Sequence, residues 1–179
     1  MTRILAIDHG TKLVGWALIE DGQPFQFGVY RTGNEYPETI NELYTFASMK
    51  LTGSAHQIDR VALEKPMSML NGDTARKLIE HYTACKLAAI RYGQEVIEVA
   101  PTTIKHLVAG AGNADKQAVA ESICIKYDID LEDLCPADVY KVGKRKGEVK
   151  SRLWDASDAV AIGLAAWEMI KREKDMATK

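Results

Sequence analysis

The sequence predicts an α/β fold: a mixed five-stranded sheet, with three antiparallel strands followed by parallel additions, and helices on both faces. Three apolar segments near the N-terminus are separated by turns of only a few residues, which is typical of antiparallel neighbours. Two later apolar segments each follow a helical pattern, and such crossovers add parallel strands. With 179 residues and 46% hydrophobic content, the chain fits one domain with a sizeable core better than two.

The first three strands are predicted at residues 3–8, 14–19 and 25–30. The first contains the continuous apolar run Ile-Leu-Ala-Ile, which indicates a strand buried on both faces. Turn residues follow at 8–11 and again at 20–22, so these strands should form an antiparallel meander.

The later elements alternate between helices and strands and end in three helices. Their predicted ranges, in chain order, are helix 37–51, strand 60–64, helix 73–92, strand 95–99 and helices 101–109, 114–127 and 153–171. Residues 128–151 are predicted to be irregular. The whole chain, 1–179, is predicted to be one domain with a basic loop at about 136–152. This order of elements is characteristic of the ribonuclease H-like fold.

Four acidic residues lie at the ends of predicted elements. Asp8 ends the first strand and Glu64 ends the fourth, and the predicted sheet makes these two strands central neighbours. Asp155 and Asp158 lie one turn apart at the start of the last helix, on the apolar stripe that should face the core. A carboxylate buried there destabilises the fold unless a basic partner or a metal ion compensates its charge. We therefore expect the four carboxylates to converge.

Carboxylate oxygens in this number suit Mg²⁺, with Mn²⁺ as a possible substitute, because both are hard cations. A pair of such ions stabilises the attacking and leaving groups of an in-line displacement at phosphorus. We interpret Asp8, Glu64, Asp155 and Asp158 as the catalytic, metal-binding centre of an enzyme that hydrolyses phosphodiester bonds with two ions. For each acid alone, the alternative is a helix cap or a solvated strand end.

Composition argues against several other classes. No apolar run approaches about 18 residues, and the N-terminus leads directly into a strand pattern, so we expect no membrane segment, no signal peptide and a cytoplasmic location. The three cysteines are far apart and outside any CxxC spacing, which argues against zinc and against a disulfide framework. His9 is expected to be positional, and His81 to be an isolated helix or surface residue.

Charge is distributed unevenly along the chain. Residues 141–152 carry six basic residues and one acidic residue, a local charge of +5 that leaves −7 for the rest of a chain whose net charge is −2. Such a glycine-containing basic segment is typical of loops that contact a phosphate backbone. Lys144, Arg145 and Lys146 are the predicted DNA contacts, and a merely solvated loop is the alternative.

Several blocks of the sequence resemble the RuvC family of Holliday junction resolvases. The blocks are residues 4–11 with Gly15, 61–64, 99–105, 108–116 and 155–159. They occur in the family's order and span most of the chain. The resemblance implies a magnesium-dependent endonuclease that selects four-way and other branched DNA junctions. It also implies that Lys105 and Lys116 are basic catalytic or DNA-contacting residues.

The sequence departs from the family pattern at two places. Family members often carry an aromatic residue just after the second acid, whereas this chain has Met67 and Met69. These flexible thioether side chains are predicted to approach the branch point and to give weak sequence selectivity. The basic segment before the last helix is longer than the family's usual connection, which implies a broader range of branched substrates.

We expect a homodimer, because paired cuts in a four-way junction are related by a two-fold axis and one chain offers one acidic cluster. Helix 73–92 has more apolar surface than one core-facing side needs, at Ile79, Leu87 and Ile90, and is the predicted contact. The alternative is that this helix is buried twice, under the sheet and under helix 114–127.

Two other functions stay open at this point. A YqgF-like nuclease acting on RNA shares the opening turn but lacks a good counterpart to residues 99–116, and a catalytically inert branched-DNA-binding module would carry the same acids. No nucleotide cofactor is expected, because the actin-like ATPases and sugar kinases with a similar turn need two duplicated subdomains and far more chain.

Overall fold

The computed structural model describes residues 1–53, 57–66 and 72–177. The strands of its main sheet are β1 Arg3–Asp8, β2 Leu13–Glu20, β3 Gln23–Arg31, β4 Arg60–Glu64 and β5 Glu95–Val99. They lie side by side in the order β3-β2-β1-β4-β5. The pairs β1–β2 and β2–β3 are antiparallel, whereas β4 pairs parallel with both β1 and β5. The predicted mixed sheet is confirmed.

Helices cover both faces of this sheet. They are α1 Glu38–Gly53, α2 Gly72–Arg91, α3 Pro101–Ala109, α4 Lys116–Tyr127, α5 Leu131–Leu134 and α6 Asp155–Ala177. The last helix continues beyond its predicted end near Lys171. In the described part of the chain, none of the helices is both long and apolar enough to cross a bilayer.

Residues 128–151, which were predicted to be irregular, contain further regular structure. The short helix α5 leads into an antiparallel hairpin of β6 Ala137–Val139 and β7 Val149–Arg152. The prediction was wrong because the strands are short and every residue from 141 to 150 is exposed. A strand without a buried face has no apolar alternation that would indicate it.

The sheet separates two hydrophobic cores. Along β1, Ile4 and Ala6 pack on the side of α3, α4 and α6, whereas Leu5 and Ile7 pack on the side of α1 and α2. All four side chains are fully buried. A strand covered on both faces needs apolar residues at consecutive positions, which is why the first strand reads as a continuous apolar run.

Helix α6 lies directly across the sheet and contacts all five of its strands. Glycines permit this close approach. A Cβ on Gly163 would overlap the Ile19 side chain and lie 3.0 Å from the Ala6 Cβ. A Cβ on Gly15 would overlap the backbone carbonyl of Asp155. The first turn of α6 is therefore fixed against β2, beside the end of β1.

Candidate active site

The two strand-end acids lie at the same edge of the sheet. Asp8 ends β1 and Glu64 ends β4, and the neighbouring residues Ile7 and Leu63 are paired in parallel register. Because Ile7 and Leu63 face the core beneath α1 and α2, strand alternation directs both acids towards the side that α6 covers. The sheet thus positions the carboxylates next to each other.

Helix α6 brings the other two acids to this edge. Gly15, which the first turn of α6 touches, is the register partner of Asp8 on β2. Asp155 and Asp158 occupy that first turn. The Lys116 Nζ atom at the start of α4 donates to the Asp158 Oδ2 atom. This ion pair joins α4 to α6 through residues that are 42 positions apart in the sequence.

Two adjoining clefts open along the same edge, with volumes of about 370 and 140 Å³. Glu64 and Lys105 line both of them. Asp8 lines the larger cleft, and Lys116 and Asp158 line the smaller one. Three of the four predicted acids, together with Lys105 and Lys116, therefore meet on one concave surface, whereas Asp155 lines neither cleft.

The electrostatics of the site show an excess of negative charge. Burial, together with the nearby Asp158, Glu64 and Asp155, raises the pKa of Asp8 to about 8 against the opposing effect of Lys116. Burial also raises the pKa of Glu64, as does Asp158. Burial raises the pKa of Asp158 although its bond to Lys116 acts in the opposite direction. The lysines only partly compensate the acids.

This donor set fits a hard divalent cation. All four side chains offer carboxylate oxygens, and within the described residues no side-chain donor reaches the Asp8 carboxyl group. The raised pKa of Asp8 shows that added positive charge would be favourable here. Among residues 1–53, 57–66 and 72–177, however, no three acidic, histidine or cysteine side chains converge closely enough to hold one ion, and Asp158 is paired with Lys116. Binding of a metal would therefore require these carboxylates to draw closer together.

Two histidines lie near the site, and one of them differs from its prediction. The His9 Nε2 atom lies 3.1 Å from the Glu64 carbonyl oxygen, and because a carbonyl only accepts, Nε2 carries the proton. This bond ties the end of β1 to the end of β4 at the two acids, so His9 is positional as expected. His81 is buried, not a surface residue, and shares a hydrogen bond of 2.9 Å with Thr39 Oγ1. Its place four residues before Cys85 on the apolar stripe of α2 was the available signal.

The remaining predicted residues lie away from the acids or outside the described chain. Lys144, Arg145 and Lys146 are exposed at the tip of the β6–β7 hairpin and line neither cleft. Met67 and Met69 lie outside the described residues.

A sequence model of the family described as Crossover junction endodeoxyribonuclease RuvC matches residues 4–140. The chain belongs to the RuvC family. The RuvC of Halorhodospira halophila is 34% identical over 124 residues, which are 66% of this chain and 73% of that protein. The RuvC of Gloeobacter violaceus is 25% identical over 170 residues, 92% of this chain and 87% of that protein. The resemblance inferred from the sequence is confirmed.

A solved structure supports the same RuvC-type fold. Thermus thermophilus RuvC in complex with Holliday junction substrate superposes with a TM-score of 0.71 at 19% identity, over 96% of this chain and 97% of that one. The matched family range includes Asp8, Glu64, Lys105 and Lys116. It ends at residue 140, before the tip of the hairpin and before α6.

Proposed function

We propose that this RuvC-family chain is one nuclease domain, a metal-dependent endonuclease that cleaves phosphodiester bonds in four-way and other branched DNA junctions. The observation that carries the proposal is the undercompensated acidic cluster, in which the pKa of Asp8 is raised to about 8 within a cleft flanked by lysines. An anionic substrate approaches such a cluster only together with cations. The relative of known structure that is bound to Holliday junction substrate supports the choice of DNA.

Asp8, Glu64, Asp155 and Asp158 would hold two Mg²⁺ ions, for which Mn²⁺ is a substitute. When bound, such a pair stabilises the attacking and leaving oxygens of an in-line displacement. Lys116 exchanges its bond to the Asp158 carboxylate for one to a phosphate oxygen. There its positive charge stabilises the negative charge that develops during cleavage. Lys105, which lines both clefts, orients the same strand by donating to its backbone.

Contacts farther along the DNA come from two other segments. Lys144, Arg145 and Lys146 contribute to backbone binding by the exposed hairpin, the two lysines through direct contacts and Arg145 by holding the shape of the tip. Met67 and Met69, which follow Glu64 in the sequence, are proposed to approach the branch point. Because thioether side chains fill an opened base step without stacking as a ring does, we expect weak selectivity for the sequence at the cut.

Cleavage of defined substrates tests this function. The purified full chain is incubated with a four-way junction, a linear duplex of the same sequence and a matched RNA, in Mg²⁺, Mn²⁺ or a chelator. We expect paired, symmetric nicks in the junction only when a divalent cation is present. Preferential cleavage of the RNA would favour the YqgF-like alternative, and binding of the junction without any cleavage would favour the inert module.

We also propose that the chain acts as a homodimer through α2. On this helix Cys85 and Ala89 face the core, whereas Leu87 and Ile90 are 56% and 57% exposed. Helix α4 packs on the other side of the sheet, so the alternative that it buries α2 a second time is wrong. An exposed apolar stripe of this kind is typical of a protein contact.

Changing Leu87 and Ile90 to glutamate should convert a dimer into a monomer, because a dimer contact would bury both charges without partners. Sedimentation at micromolar concentration measures the change. Ile125→Glu is the matched control, since Ile125 is 85% exposed on α4. A monomeric unmodified protein that still makes paired symmetric nicks would refute the preformed dimer. Ile79 is avoided because it lines the catalytic cleft.

A further inference from the structure

The β6–β7 hairpin projects from the body of the protein. Its two strands pack mainly on each other, and all residues from 141 to 150 are exposed. Val142, near the tip, is 80% exposed. A hairpin that buries so little of its own surface contributes little to the core, so its shape depends on contacts within the hairpin itself.

Contacts within the hairpin hold the shape of its tip. The Tyr140 N–H donates to the Glu148 carbonyl at 3.0 Å, and the Gly147 N–H donates to the Tyr140 carbonyl at 2.9 Å. Arg145 lies over the Tyr140 ring, 4.4 Å from its centroid, and its Nε atom donates to Glu148 Oε2 at 2.6 Å. Arg145 therefore braces the tip and is already engaged within it.

The basic residues of the hairpin fall into two groups. Arg145, Lys150 and Arg152 form ion pairs with Glu148, Asp138 and Glu132. Lys141, Lys144 and Lys146 have no ion pair with any residue in the described part of the chain. Three unpaired ammonium groups on one ordered tip are complementary to a polyanion, and lysine supplies charge without the planar geometry that base recognition uses.

The base of the hairpin is attached firmly beside the catalytic helix. The Arg152 Nη1 atom donates to Glu132 Oε2 at 2.8 Å and to the Cys135 carbonyl at 2.7 Å. Leu153 N–H donates to the Pro136 carbonyl at 3.0 Å, and α6 begins two residues later at Asp155. A contact made by the tip is thus held at a limited distance from the acidic cluster.

We infer that the hairpin is an arm that binds the duplex flanking the branch point, through the phosphates that Lys141, Lys144 and Lys146 reach. This inference rests on the proposed function and deepens it. From Arg152 to the tip the chain spans at most about 25 Å at about 3.3 Å per residue. At about 3.4 Å per base pair, that distance is about seven base pairs. A fully extended hairpin contacts phosphates near that distance, so an arm of about 5 base pairs ends before the tip.

The test compares binding to junctions whose arms differ in length. Opposite pairs of arms are shortened in turn from about 20 to about 5 base pairs, with thymine loops closing the short arms so that they stay paired. Binding is measured in the Asp8→Asn background for the otherwise unchanged chain, for Lys144→Gln/Lys146→Gln and for the control Lys171→Gln/Arg172→Gln. The control removes the same charge from the exposed far end of α6.

With long arms, we expect Lys144→Gln/Lys146→Gln to bind about tenfold more weakly than the parent and its salt slope to fall by up to about 1.8 for each protomer, that is about 0.9 per lost phosphate contact. When the pair of junction arms that the hairpins contact is short, the parent should also bind about tenfold more weakly. The parent and Lys144→Gln/Lys146→Gln should then have equal affinities. Equal dependence on arm length in both proteins, or an equal loss in the control, would overturn the inference. If the unmodified chain bound in a way that depends on the length of the junction arms but never cut, the proposed function would be overturned and the inference about the hairpin would be supported.

Discussion

Asp8→Asn should abolish cleavage and at the same time stabilise the metal-free protein near pH 8. The pKa of Asp8 is about 8 in the fold, against an ordinary value of 3.8, because burial and three other acids disfavour its charge. The folded state therefore binds a proton that the unfolded state has lost, and the free energy of unfolding decreases as the pH rises between these values. Asparagine carries no charge at either pH, so it removes this loss.

Thermal melts in a chelator at about pH 5.5 and pH 8 measure the effect. At pH 8 we expect the variant to melt at least about 4 °C above the unmodified chain, since each kcal/mol moves a domain of this size by about 2–4 °C. Cleavage should fall by at least about 10²–10³-fold. Glu35→Gln, at an exposed acid before α1, is the control and should change neither quantity. An unmodified protein that became more stable from pH 5.5 to pH 8 would contradict the electrostatic account.

Gly15→Ala should separate folding from catalysis by moving the first turn of α6. The added methyl group would overlap the Asp155 carbonyl and lie 3.2 Å from the Ala159 Cβ, and these atoms belong to a helix that cannot yield locally. We expect the start of α6 to shift away from β2, at a cost of about 1–3 kcal/mol in the free energy of unfolding. Because Asp155 and Asp158 move with it, activity should fall by about 10²-fold for a displacement near 1 Å.

The variant is compared at a temperature where circular dichroism shows both proteins fully folded. Gly33→Ala is the matched control, because its nearest neighbour, the Glu42 Oε1 atom, would lie 3.9 Å from the new methyl group. If Gly15→Ala retained full cleavage while folded, close contact between β2 and α6 would not be what positions the acids.

The sheet and the convergence of the acids were predictable from the sequence because both follow from burial. Strands β1 and β4 are covered on both faces, so they read as apolar runs that end abruptly at Asp8 and Glu64. Parallel neighbours end at the same edge, and the apolar stripe of α6 has only one way to face the sheet. These constraints act on every residue of a helix or strand, so they produce a periodic pattern of apolar residues in the sequence.

The features that the sequence did not indicate depend on contacts that produce no periodic pattern of apolar residues. The β6–β7 hairpin is stabilised by strand pairing and by the Arg145 brace, and neither needs an apolar pattern. The end of α6 beyond Lys171 is exposed, so its helical state rests on residue propensity and not on a buried stripe. The pairing of Lys116 with Asp158 joins residues 42 positions apart, for which no local signal exists.

The position of α6 in the chain has a consequence for the timing of activity. All five strands of the main sheet precede it, and the sheet itself carries only Asp8 and Glu64 of the four acids. During synthesis the sheet and five helices are complete before Asp155 and Asp158 have been made. A growing chain therefore lacks two of the four proposed catalytic acids until α6 has been made, and docking of that helix, through its own Gly163 and against Gly15 of β2, both closes the core and completes the proposed site. Under the proposed function, hydrolysis of DNA would in this way be confined to chains that have finished folding.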